Sequence, residues 1–374
     1  MAEMAIPTAV AAGGVPAGDE TTERLLAMWR ELLGLDSVGV DDNYFDLGGD
    51  SALAVHLFAR IEKEFGVKLP LATLFEAQTV SELTEVLRSK AQPAGWSPLV
   101  SVQPTGSRAN FFCVHGAGGN VFIYRDLAKL LGPDQPFYGL QSRGLDGKEE
   151  LQKSVPDMAR VYVDAVQRVQ PHGPYFLGGY CMGGTVAYEM AQQLSAKGEQ
   201  VAMVALFDTA DWSQVNMYSK AARAGYQVQR LWFHLRNFML LGAGDKAKFF
   251  REKWKVLESR TTIWKGAIAG MFKSEGKKES ESALLARVWE NNDRCSADYK
   301  PQPLNAPIVH FRPKDQYVVF RKSDASFTKL AMKGEKIVGL QVYPAGMLLE
   351  PFVQELAKSL RRSLDDAGAD RARM

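Results

Sequence analysis

Tyr175-Phe176-Leu177-Gly178-Gly179-Tyr180-Cys181-Met182-Gly183-Gly184 is the stretch that decides how this chain folds. An apolar run, Tyr175 to Leu177, reads as a buried strand. Behind it Ala187, Met190, Ala191 and Leu194 recur at helical spacing. Between them the chain must turn too sharply for side chains on either flank, and Gly179 and Gly183 supply the room. Cys181 is thereby expected at the tip of the turn and at a helix N-terminus, where the helix dipole and free N–H groups favour a thiolate. A small buried Cys in a glycine-rich turn is the plain alternative. Strand, flanking glycines and amphipathic helix in register favour the turn.

The form G-x-C-x-G is the nucleophile elbow of an α/β-hydrolase, with Cys where Ser is more usual. From Leu99 onward the pattern alternates strands and helices, predicting a mostly parallel sheet with helices on its faces. Strands are expected at Phe111 to His115, Phe137 to Leu140, Tyr175 to Leu177, Val201 to Phe207, Ile308 to Phe311 and Leu340 to Tyr343. His115-Gly116-Ala117-Gly118-Gly119 follows the first of these and suits an oxyanion hole. Its donors would be the backbone N–H groups of Ala117 and of Met182, next to the nucleophile. His115 itself reads as a residue that shapes this loop rather than as a general base. Asp208, 27 residues past Cys181, ends the apolar strand Val201 to Phe207. There it can orient a histidine as the acid of a triad, with Asp211 as second candidate.

The 374 residues, 46% of them hydrophobic, allow two domains with sizeable cores. No apolar run has the length of a membrane span, so no membrane partner is expected. A net charge of +2 gives no reason to expect nucleic acid. Cys113, Cys181 and Cys295 are too far apart for a zinc site or a disulfide framework, and no metal is expected; a reducing cytoplasm is the simplest setting. Residues 1–20 are rich in Ala and Gly and carry no positive charge ahead of their mild apolar patch. They read as a flexible leader rather than a signal peptide.

Residues 21–90 read as a small helical bundle. Leu25, Trp29, Leu32 and Leu33 share one helix face, as do Ala54, Leu57, Phe58, Ile61 and Phe65 of a second helix that follows Ser51. Thr79 with Glu82 forms a capping box for the last helix. Ser51 alone would pass as a helix N-cap. Its setting, Phe45-Asp46-Leu47-Gly48-Gly49-Asp50-Ser51, resembles the phosphopantetheine attachment motif of acyl and peptidyl carrier proteins. The resemblance implies a covalent 4′-phosphopantetheine on Ser51, attached by a phosphopantetheinyl transferase, whose thiol holds an acyl group as a thioester. Residues 91–98, with Pro93, Gly95 and Pro98, read as a short linker.

From Leu99 to about residue 365 the motifs at His115, Cys181 and Asp208 together resemble the type I thioesterase that ends nonribosomal peptide and polyketide synthases, in a Cys variant. The resemblance implies a helical lid at about 212–300, upstream synthase modules as partners and an acyl or peptidyl thioester as substrate. Residues 366–374 read as a tail. The fold expected is therefore a four-helix carrier bundle followed by an α/β-hydrolase domain with a helical lid insertion. The function implied is transfer of the chain from Ser51 to Cys181, then release by hydrolysis or cyclisation. An editing thioesterase that clears stalled carriers, or a catalytically incomplete docking module, are the alternatives.

One element is missing. The family places its histidine after the last strand, shortly before a Met-Leu and a Pro, yet here the segment reads Val342-Tyr343-Pro344-Ala345-Gly346-Met347-Leu348-Leu349-Glu350-Pro351. The histidines of the chain are His56, His115, His172, His234 and His310, and none follows residue 310. Three readings compete: residues lacking from this loop, a deleted loop, or another histidine, His234 foremost, that swings in.

Overall fold

The computed structural model describes residues 20–49, 51–89, 97–145, 147, 149–211, 220–242, 246, 281–317, 327–344 and 346–372. The chain divides into two compact units, Met1–Trp96 and Ser97–Met374. The expected leader, most of the linker and much of the expected lid lie outside the described residues.

In the first unit, helices α1 (Glu20–Leu33), α2 (Ser51–Phe65), α3 (Thr73–Glu76) and α4 (Val80–Arg88) enclose one apolar core. Leu25, Trp29, Leu57, Ile61 and Leu83 are fully buried in it. Trp29 meets Tyr44 edge-on, with ring centroids 5.1 Å apart. The capping box at α4 is formed: Thr79 Oγ1 accepts from the Glu82 N–H at 3.1 Å, and Glu82 Oε2 accepts from the Thr79 N–H at 3.0 Å. The loop before α2 closes as tight turns, with the Leu47 N–H on the Asn43 carbonyl at 3.1 Å and the Gly49 N–H on the Tyr44 carbonyl at 2.9 Å. Ser51 is the first residue of the helix that follows.

The second unit is built on a seven-stranded sheet, in the order β1-β3-β2-β4-β5-β6-β7. Its strands are β1 (Leu99–Gln103), β2 (Phe111–Val114), β3 (Phe137–Leu140), β4 (Tyr175–Tyr180), β5 (Val201–Phe207), β6 (Ile308–Pro313) and β7 (Glu335–Leu340). Only β1 runs antiparallel to its neighbour. Helices α5 (Arg125–Leu131), α6 (Val155–Val169), α7 (Met182–Ala196), α8 (Lys220–Leu240), α9 (Glu281–Asp298) and α10 (Val353–Ala372) complete it. The core packs α6 and α7 on the central strands through fully buried Tyr162, Val163, Val186, Leu177 and Leu206. Central strands buried on both faces are near-continuous apolar runs, and for that reason β5 is unmistakable in the sequence.

The structure departs from the sequence reading at three places. The edge strand β1 was not expected. The last strand lies at Glu335–Leu340, not Leu340 to Tyr343, because an edge strand needs little burial while the apolar Val342 and Tyr343 are buried in the loop that follows it. The helix α10 runs on to Ala372, through the expected tail, and Lys336 Nζ reaches Asp366 at 3.2 Å.

The tightest backbone-to-backbone approach at a described glycine of this unit joins β4 to α7. A Cβ at residue 179 would lie 2.2 Å from the Gly183 carbonyl carbon, and one at residue 183 would lie 2.3 Å from the His115 carbonyl oxygen. Backbone this close to backbone admits only glycine. Gly179→Ala is expected to destabilise this unit by roughly 2–5 kcal/mol, read as a fall in its thermal unfolding midpoint. An unshifted midpoint would refute the close approach.

Candidate active site

Cys181 sits between the last residue of β4 and the first of α7, with φ 55° and ψ −121°. An L-residue takes up such backbone only where its surroundings impose it. Here the Cys181 N–H donates to the Phe207 carbonyl at 2.9 Å and the Cys181 carbonyl accepts from the Gly184 N–H at 3.1 Å. Tyr124 holds the strand ends together: its hydroxyl donates to the Val114 carbonyl and accepts from the Tyr180 N–H at 2.9 Å. Cys113 and Cys295 are buried, whereas Cys181 is only half-buried.

The loop after β2 lies against this turn. His115 is fully buried, and its Nδ1 lies 2.6 Å from the Gly116 carbonyl, which can only accept, so the proton is on Nδ1. Its Nε2 then accepts from the Tyr162 hydroxyl at 2.8 Å. Burial pulls the imidazole down to about 4, leaving it neutral. The Gly116 carbonyl also accepts from the Gly119 N–H at 2.9 Å. A trans peptide points its C=O and N–H in opposite directions. Holding the Gly116 carbonyl on the His115 side therefore turns the Ala117 N–H to the other side of the loop. The Met182 N–H, next in the chain, acts on the Cys181 sulfur in the direction that favours the thiolate.

The sequence led to a Cys181 readily ionised by its helix. The structure reverses this: desolvation, then the charges of Asp293 and Asp208, push the thiol up to about 12, and the Met182 N–H only partly offsets them. Burial and two carboxylates outweigh one helix end. Asp208, itself at φ 46°, is fixed by its N–H on the Phe311 carbonyl at 3.0 Å. Its charge also raises Tyr180, Tyr226 and Tyr317. Asp211 is buried elsewhere, acting on Tyr188 and Tyr299. Of the two aspartates weighed in the sequence, Asp208 is the one within electrostatic reach of Cys181.

Asp293 was not anticipated. It lies on α9, where its carboxylate accepts from the Trp289 indole N–H at 3.0 Å, and surrounding protein raises its pKa although the residue stays open to solvent. No motif marks it; Trp289 and Asp293 share only an i, i+4 spacing on an otherwise ordinary helix.

The histidines are spread across the chain. His310 is buried in β6 with Nδ1 on Glu335 Oε1 at 2.7 Å. His172 is exposed beside Glu199 at 3.1 Å, and His56 lies on α2 of the other unit. His234 is half-buried on α8, the helix whose Tyr226 is within electrostatic reach of Cys181 and Asp208. The loop expected to carry a histidine is instead closed by turns, with the Gly346 N–H on the Tyr343 carbonyl at 3.2 Å and the Leu349 N–H on the Gly346 carbonyl at 2.9 Å. Asn237 of α8 clasps it: Oδ1 accepts from the Tyr343 N–H at 2.8 Å, and Nδ2 donates to the Tyr343 carbonyl at 3.1 Å.

In the first unit, Ser51 opens a 15-residue helix directly after the tight turns. Helix N-terminal N–H groups and dipole favour a phosphate there, which fits a phosphopantetheine diester. The described residues hold no cluster of His, Cys, Asp and Glu suited to a metal, and no described helix is long and apolar enough to cross a membrane.

Comparison with known proteins agrees with both units. Residues 23–87 match the phosphopantetheine attachment site family and residues 109–260 the thioesterase domain family. Malpinin synthetase of Mortierella alpina is 46% identical over 190 residues, 50% of this chain and 2% of that protein. The dimodular nonribosomal peptide synthase of Bacillus subtilis (strain 168) is 43% identical over 186 residues, 50% of this chain and 8% of that protein. The chain thus spans a small fraction of the length of these relatives. A holo four-domain nonribosomal peptide synthetase bound to AMP and glycine superposes with a TM-score of 0.58 at 24% identity, over 96% of this chain and 27% of that one. The chain is a phosphopantetheine carrier domain followed by a thioesterase domain of the α/β-hydrolase type, as found in nonribosomal peptide synthetases.

Removing a negative charge beside a thiol lowers its pKa. Asp293→Asn is therefore expected to speed alkylation of Cys181 by iodoacetamide about threefold to tenfold near pH 8. An unchanged pH profile would place Asp293 outside electrostatic reach of the sulfur.

Proposed function

We propose that this carrier–thioesterase chain ends an assembly line of the nonribosomal peptide synthetase type, with Cys181 taking over the acyl or peptidyl chain delivered from Ser51. The observation that carries this is Cys181 itself, held at positive φ between β4 and the N-terminus of α7. When attached to Ser51 by a phosphopantetheinyl transferase, the 4′-phosphopantetheine supplies a thiol that bears the chain as a thioester. Upstream synthase modules would supply that chain.

The chemistry of the site follows from its residues. Cys181 Sγ attacks the thioester carbonyl, a new C–S bond forms, the old one breaks, and the proton leaves Cys181 for the departing thiolate. One thioester replaces another, so the exchange is close to balanced. The oxyanion formed in between is stabilised by the Ala117 and Met182 N–H groups, each contributing on the order of 3 kcal/mol. Asp208 stands in the place of the acid that orients a histidine.

Release is a different matter. Hydrolysis or cyclisation of acyl-Cys181 needs a base to deprotonate water or an internal nucleophile. The segment from Val342 to Pro351 contains no histidine, and its buried loop is clasped by Asn237. Acyl-Cys181 therefore accumulates, and release is the slow step. An editing role fits less well, because the carrier is fused to the thioesterase and an editing enzyme acts on carriers in trans.

Loading Ser51 with an acetyl arm from acetyl-CoA, followed by intact-protein and peptide mass spectrometry, tests this. Acetyl is expected on the Cys181 peptide and to persist after excess substrate is removed. Cys181→Ala should confine it to the Ser51 peptide, and Ser51→Ala should abolish loading. Rapid turnover with no acyl-Cys181 would contradict the stalled intermediate, and release unaffected by Cys181→Ala would reduce the second domain to a docking module.

A further inference from the structure

A buried amide from α9 reaches the loop that carries Ala117. Asn292 is fully buried, and its Nδ2 donates to the Ala117 carbonyl at 3.0 Å and approaches Ser142 Oγ at 3.5 Å. Asn291, beside it, donates to the Gln152 carbonyl at 2.8 Å, so two amides in succession tie α9 to this face. One turn earlier, the Trp289 ring would sit 3.4 Å from a Cβ on Gly118. The helix thus holds the Ala117–Gly118 peptide by its oxygen and flanks the glycine that follows.

The preceding peptide, Gly116–Ala117, is already held by His115 through the Gly116 carbonyl. Fixing the planes on both sides of Ala117 fixes its backbone dihedrals, and with them the direction of its N–H. Turning the Asn292 amide over would set Oδ1 against the Ala117 carbonyl oxygen, two acceptors facing each other, so the donor orientation is the one the network requires. In that orientation Asn292 Oδ1 is buried with no hydrogen-bond partner among the described residues. Removing the Asn292 amide would leave the Ala117 carbonyl without this donor, so the amide and the loop are held together.

We infer that Asn292 is a positioning residue for the oxyanion site: through the Ala117 carbonyl it aims the Ala117 N–H at the negative charge that develops when Cys181 attacks a thioester. This rests on the functional reading above and deepens it. A displaced donor does less harm than a deleted one, whose loss costs about a hundredfold or more in rate. Acylation is expected to fall about tenfold to a hundredfold.

The test uses the full chain with Asn292→Leu and Asn292→Ala, neither of which can donate to a carbonyl. Acylation of Cys181 by the hexanoyl thioester of N-acetylcysteamine is followed by rapid-quench mass spectrometry. Alkylation by iodoacetamide, a displacement that forms no oxyanion, is measured alongside. Slowed acylation with unchanged alkylation in both variants is the expected result. Unchanged acylation overturns the inference. An equal fall of acylation and alkylation also overturns it, since the elbow itself would then be disturbed. Should Asn292→Leu fail to fold, Asn292→Ala decides by the same two rates. No acylation of the unaltered chain would overturn the functional reading and this inference with it, whereas a normal rate in the variants sinks the inference alone.

Discussion

The contact between Gly179 and Gly183 is the constraint on which the rest of the second unit depends. It lets β4 run straight into α7 with no intervening loop, and the residue left at the corner has no choice of backbone. Cys181 stands there at positive φ because the Phe207 carbonyl and the Gly184 N–H hold its peptide groups from both sides. A strained corner of this kind survives only where packing over-determines it. The buried sheet, with β5 on one side and β2 on the other, supplies that packing.

The same burial that fixes the corner also changes its chemistry. The N-terminus of α7 offers the sulfur a favourable dipole, but desolvation opposes its ionisation, as do two carboxylates, Asp293 on α9 and Asp208 just past β5. The thiol is consequently held protonated in the free protein. A thiol of this kind does not react indiscriminately; it needs a carbonyl already seated, so that the proton can leave as the new bond forms. On the proposed reading, such a thiol is used for transfer between thioesters, and attack by water is the slower step.

How much of this was legible beforehand depended on how local each signal is. The β4–α7 corner, the glycine loop at His115 and the capping box at Thr79 are short-range patterns in which every residue bears on its immediate neighbours, and they could be read directly. The role of His115 as a loop-shaping residue was also readable, because a histidine opening a glycine loop has a close carbonyl to bind. The strand β7 was misplaced because Ile337 on an exposed edge and Val342 in a buried loop look alike as letters. Asn292 and Asp293 were invisible for another reason. They act across more than a hundred residues of sequence, from a helix whose apolar pattern gives no sign of what its polar residues face. The ionisation of Cys181 failed in the same way: the dipole is local and legible, the opposing carboxylates are not.

The central claim is that Cys181 and the backbone N–H groups of Ala117 and Met182 form one acyl-binding unit. A crystal structure of the chain trapped as acyl-Cys181 tests it most directly. The account predicts the acyl carbonyl oxygen within about 2.7–3.1 Å of both the Ala117 and Met182 nitrogens. A carbonyl oxygen turned out to solvent, with neither nitrogen in reach, would contradict it.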